Sequence, residues 1–121
     1  MRTLARGVTI AAGMVLAAQA IPALAHAFLD HAEPRVGASV AQSPPRVTLW
    51  FSEKLEPAFS AVKVLDAAGK VVDAQDGKVE AGQMRVTIPK ALAPGKYRVE
   101  WRALSVDTHV TNGHFTFEVA P

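Results

Sequence analysis

Apolar and polar residues alternate with a period of two along most of the chain beyond residue 45, the spacing of strands that bury one face and wet the other. Val47, Leu49 and Phe51 fall on one face of such a segment, and Thr48, Trp50 and Ser52 on the other. The same pattern sets Met84, Val86 and Ile88 against Arg85 and Thr87, and makes Met84 a core residue. It sets Tyr97, Val99, Trp101 and Ala103 against Arg98, Glu100 and Arg102, and Phe115, Phe117 and Val119 against His114, Thr116 and Glu118. Shorter strands are predicted at residues 27–31, 60–65 and 70–74.

The punctuation agrees. Residues 33–37 read as a turn, Pro44-Pro45 cannot donate two ladder hydrogen bonds, and Pro57 argues against a continuing central strand. Asp66-Ala67-Ala68-Gly69 and Asp76-Gly77 are turn sequences, Gly82 marks a further break, and residues 89–95 form a loop. No helical period is found. About seven short strands joined by turns predict an all-β, Greek-key, immunoglobulin-like sandwich or barrel.

The first residues follow a different pattern. Arg2 and Arg6 precede an apolar run over residues 8–20, then Pro22 and the small-x-small sequence Ala23-Leu24-Ala25. This is the layout of a cleaved signal peptide, and the run is too short for the roughly 20 apolar residues of a membrane span. The expected organisation is a signal peptide over residues 1–25 and one domain over residues 26–121. Ala25-His26-Ala27 is a second small-x-small sequence, so cleavage after Ala27 is the alternative. Arg2 and Arg6 account for the whole net charge of +2, which leaves 11 basic and 11 acidic residues beyond them. With those basic residues spread along strands, neither nucleic acid nor an anionic membrane is indicated. The chain has no cysteine, which excludes a thiol nucleophile, an iron-sulfur cluster and a blue-copper site.

Two regions carry candidate chemistry. Asp107 and His109, two positions apart in an extended segment, point to one side. They either hold a divalent metal together or form an ordinary polar pair in which the carboxylate orients the imidazole. Cleavage after Ala25 would make His26 the first residue and add an α-amine and a second imidazole. Three nitrogens and one oxygen suit a tetragonal Cu(II) ion. The amine is a realistic ligand, because deprotonating a group with pKa about 7.8 at pH 7 costs only about 1 kcal/mol, against roughly 4–5 kcal/mol for a lysine.

The run Tyr97-Arg98-Val99-Glu100-Trp101-Arg102-Ala103-Leu104-Ser105-Val106-Asp107-Thr108-His109, followed by Gly113, Phe115, Phe117 and Val119, resembles the C-terminal signature of the CopC family of periplasmic copper-binding proteins. His26-Ala27 with Leu29, Pro34 and Gly37, and then Phe51-Ser52-Glu53-Lys54-Leu55, resembles the same family in the same order. The resemblance implies a Cu(II) site built from the amine and imidazole of His26, the carboxylate of Asp107 and the imidazole of His109. It also implies a periplasmic location and a role in copper resistance or supply, with an inner-membrane permease of the CopD type as partner. Glu53 matches an acidic position near that site. Strand parity would turn Glu53 inward with Phe51, beside copper; alternatively the strand ends at Ser52 and Glu53 turns into water.

Some members of the family bind Cu(I) through a methionine-rich loop. Here Met84 is the only methionine beyond residue 25, so the chain resembles the branch that takes Cu(II) alone. His31 and His114 are expected at the surface, and Val110 replaces a proline common in the family. A non-enzymatic monomer with no stable membrane insertion is expected. The alternatives are an N-terminal-histidine copper monooxygenase, disfavoured because Asp107 would fill a position that oxygen chemistry needs open, and a metal-free interaction module.

Overall fold

The computed structural model describes residues 27–121; the signal-peptide expectation and His26 lie outside the described residues. The strands are β1 (Leu29–Glu33), β2 (Ser39–Val40), β3 (Arg46–Phe51), β4 (Ala61–Leu65), β5 (Lys78–Glu80), β6 (Gln83–Thr87), β7 (Gly95–Leu104) and β8 (Val110–Val119). A short 3-10 turn at Pro57–Phe59 precedes β4. Two four-stranded sheets face each other, in the orders β1-β3-β6-β5 and β2-β8-β7-β4. The chain passes repeatedly from one sheet to the other, so the sandwich closes only when distant segments meet. All ladders are antiparallel except β2 with β8.

The alternating residues do meet between the sheets. Val47, Leu49, Phe51, Met84 and Val86 from one sheet pack with Val64, Tyr97, Val99, Ala103, Phe115, Phe117 and Val119 from the other. Trp101 is half-buried and meets Phe51 edge to face, with ring centroids 4.9 Å apart. Its indole lies over Gly113, where an added Cβ would run into the ring, so any other residue there would force the indole to shift.

Four details differ from the sequence reading. Residues 70–74 form no strand; Leu65 and Val71 make only an isolated bridge. The buried Asp73 carboxylate instead accepts hydrogen bonds from the Val64 and Gln75 amides, at 2.7 Å each. An acceptor that bonds the backbone in this way replaces a ladder partner. Second, β2 and β5 were not expected, because two or three residues are too few to show a period. Third, Thr48, on the polar parity of β3, is buried. Finally, β8 begins at Val110, earlier than the inward residues Phe115 to Val119 suggest, so Thr111 and Asn112 sit in its ladder with β7.

Candidate metal centre

Leu104 and Val110 are the last paired residues of β7 and β8, and the segment between them reverses the chain at one end of the sandwich. Ser105 organises this turn. It is fully buried, and it forms an isolated bridge with Leu55. Its amide donates to the His109 carbonyl at 3.0 Å, and its carbonyl accepts from the Thr108 amide at 2.8 Å. Thr108 takes a positive φ of 73°, which lets the chain turn back between the two candidate ligands.

The structure brings Asp107 and His109 together. Asp107 Oδ1 accepts the Ser105 hydroxyl proton, and His109 Nδ1 stands 3.4 Å from the same oxygen. With Asp107 ionised, the proton of that longer contact belongs on Nδ1, which leaves the imidazole lone pair on Nε2. Both side chains are partly exposed, at 37% for Asp107 and 52% for His109, and so remain open to an incoming ion.

The hydrogen bond from Ser105, ahead of the contacts with His109, holds the Asp107 carboxyl below its ordinary value of 3.8. A lowered value means that the stabilisation is complete above pH 3.8 and is lost as the pH falls through the folded-state value. The expected result of a carbon-13 NMR titration of metal-free protein is an Asp107 midpoint below 3.8, shifted upward in Ser105→Ala. A midpoint in Ser105→Ala equal to that of the parent would show that the hydroxyl does not hold the carboxylate.

The N-terminal end of the described chain lies beside this turn. Ala27 is fully buried and its carbonyl accepts a hydrogen bond of 2.8 Å from Thr111 Oγ1, two residues beyond His109. The Phe28 amide donates to Ser52 Oγ, and the Ser52 amide to the Phe28 carbonyl, each at 2.9 Å. Residues 27 and 28 are thus pinned to both sheets, to β8 and to the end of β3.

Glu53 follows Ser52 at this same end, and the next residue, Lys54, accepts the Val106 amide at 3.1 Å. The inward parity of Glu53 is corrected: β3 ends at Phe51, the chain bends, and Glu53 is exposed. It makes no hydrogen bond or ion pair with Asp107 or His109. His31 and His114 are both exposed. His31 stacks flat on Trp50 with centroids 4.3 Å apart and contacts Asp30 at 2.7 Å. Sequence reasoning missed Ser105, although its spacing of two from Asp107 and four from His109 was the available signal.

Residues 29–120 match the family described as CopC domain, which spans most of the chain. The chain belongs to the CopC family. The protein YobA of Escherichia coli K12 is 35% identical to this CopC domain protein, over 98% of the chain and 99% of YobA. The crystal structure of CopC from Methylosinus trichosporium OB3b superposes with a TM-score of 0.73 at 37% identity, covering 79% of this chain and 95% of that one. The structure of PcoC, a methionine-rich copper resistance protein from Escherichia coli, gives a TM-score of 0.68 at 34% identity, covering 78% and 99%. These relatives share the β-sandwich described above.

Among the described residues, no group of three or more His, Cys, Asp and Glu side chains converges. Asp107 and His109 form a pair at this end of the sandwich, offering one hard oxygen and one imidazole nitrogen. That pair fits a divalent ion of the borderline class better than Cu(I), which prefers thiolate and thioether ligands.

Proposed function

We propose that this CopC domain protein binds a single Cu(II) ion in the periplasm for sequestration or delivery, after removal of residues 1–25 as a signal peptide. The ion is held by the α-amine and imidazole of His26 together with Asp107 and His109. The observation that carries this reading is the Asp107–His109 pair beside the anchored Ala27. One peptide unit, about 3.8 Å between Cα atoms, separates His26 from that anchored residue. The copper resistance named for the related PcoC supports the choice of metal.

Copper is the cargo of this protein, and the protein is not an enzyme. The chain supplies an ionised carboxylate fixed by Ser105 and an imidazole whose tautomer Asp107 sets; the amine adds a third kind of donor at a deprotonation cost of about 1 kcal/mol. Unlike the methionine-rich PcoC, this chain has Met84 as its only methionine beyond residue 25, and Met84 is fully buried. A lone core thioether cannot serve as a soft Cu(I) site, so we assign the Cu(II)-only branch. Glu53, exposed at the same end, would act beside the ion and not in contact with it. The protein acts as a monomer, and its acceptor is a membrane permease of the CopD type.

The deciding measurement combines mass spectrometry of the exported protein with Cu(II) titration followed by electron paramagnetic resonance. The expected outcome is a chain that starts at His26 and takes up one tightly held Cu(II), with nitrogen couplings in its spectrum. A mature chain that begins at Phe28, or one that begins at His26 and shows no stoichiometric uptake, would overturn the proposal.

A further inference from the structure

We infer that Ser105 is the positioning residue of the metal centre, fixing the Asp107 carboxylate so that it meets the ion through one oxygen, Oδ2. The inference rests on the copper-site reading above and goes beyond it by assigning a role to a side chain outside the ligand set.

Ser105 is 0% exposed, so no water competes for its hydroxyl. Among the described residues, two acceptors surround that hydroxyl: Asp107 Oδ1, and the His109 carbonyl at 3.3 Å. A hydroxyl has one proton, and a carboxylate is the stronger acceptor, so the proton goes to Asp107. The hydroxyl oxygen in turn faces the His109 amide at 3.4 Å. The same atom thereby ties the carboxylate of one ligand to the backbone of the other.

The consequence lies in which oxygen is left. Oδ1 takes both the Ser105 hydroxyl and the contact from His109 Nδ1, and Oδ2 takes neither. An ion approaching this pair finds one carboxylate oxygen committed to these two contacts and the other left out of them. A one-oxygen carboxylate suits four-coordinate tetragonal Cu(II), whereas ions such as Ca(II) that gather six to eight oxygens commonly use both. Outer partners that orient a ligand in this way commonly change metal affinity by about 10–100-fold when removed.

The test uses the mature chain beginning at His26, Cu(II) alone as the probe, and affinity measured by competition with a chromophoric chelator. Ser105→Ala is expected to keep one copper per chain, to bind it about 10–100-fold more weakly, and to show an altered electron paramagnetic resonance spectrum. Ser105→Thr, which keeps the hydroxyl, is expected to restore both properties. In an Asp107→Ala background, Ser105→Ala is expected to add nothing, because its effect passes through the carboxylate. An equal loss with and without Asp107, or Ala and Thr variants that behave alike, would overturn the assignment. If Ser105→Ala does not fold, Ser105→Val takes its place, being matched in shape to threonine but lacking the hydroxyl. Parent protein that binds no copper would defeat the site itself, whereas parent binding with an unchanged Ser105→Ala would defeat only the role of Ser105.

Discussion

Acetylating the α-amine of His26 is expected to weaken Cu(II) binding by more than the ~10–100-fold typical of losing an outer partner, because it removes a direct ligand. Acetylation turns the histidine amine into an amide, whose nitrogen lone pair is delocalised, and so takes away the amine end of the six-membered ring that the amine and Nδ1 of a terminal histidine close on a metal. The imidazole of His26 is left intact, so the experiment isolates the amine. His109→Ala is expected to cause a comparable loss from the other side of the site, since Asp107 would be left as the only donor of its turn. Chelator competition on the three proteins gives the ratios directly. Equal affinities in all of them would mean that copper is held elsewhere and that the 105–109 turn is an ordinary polar reversal.

The second large effect concerns stability. Phe117 is 1% exposed and stacks on Tyr97 with ring centroids 5.6 Å apart. It belongs to the central β7–β8 ladder, where the packed interior of the second sheet meets the first. Phe117→Ala is expected to cost about 3–5 kcal/mol, from lost burial and from the cavity left behind. Against a total stability of about 5–15 kcal/mol, that is a large share. In a domain of this size each kcal/mol shifts the melting temperature by roughly 4–8 °C, so thermal denaturation should fall by at least about 12 °C. No disulfide shares the load, because the chain has no cysteine. A fall of under about 4 °C would show that the core collapses around the missing ring.

The two predictions are coupled. A ligand that binds only the folded state stabilises it by about 4 kcal/mol at a thousandfold excess over its dissociation constant. Copper should therefore restore much of the melting temperature lost in Phe117→Ala, and distinctly less of it at the same copper concentration when His109→Ala is added.

The long strands were legible because a sandwich imposes one rule on every residue of a half-buried strand. Val47, Leu49 and Phe51 face the core and their neighbours do not, and a period of two follows. The rule fails where burial is not one-sided or the strand is too short. Thr48 breaks the parity because β3 lies inside its sheet, between β1 and β6. Ser39–Val40 needs β8 beside it before it is a strand at all. At residues 70–74 the local propensity for a strand yields to Asp73, whose carboxylate takes the Val64 amide that another strand would have bonded. The inward parity of Glu53 was lost for a related reason: β3 closes at Phe51, Ser52 pairs with Phe28 at its end, the chain bends, and parity no longer counts.

The sequence by itself determined the fold class and the chemical kinds of donor, because side-chain period and residue type are local properties written into neighbouring positions. It also picked out Asp107 and His109 as a pair, since two residues two apart share a side in any extended segment. Only the tertiary structure decided that the chain's first described residue, Ala27, is fastened to Thr111, 84 positions away, and that Ser105 is buried beneath the turn that carries both candidate ligands. Those contacts exist only once the two sheets have closed on each other, and no local pattern can report a bond whose partners are brought together by the closing of the whole chain.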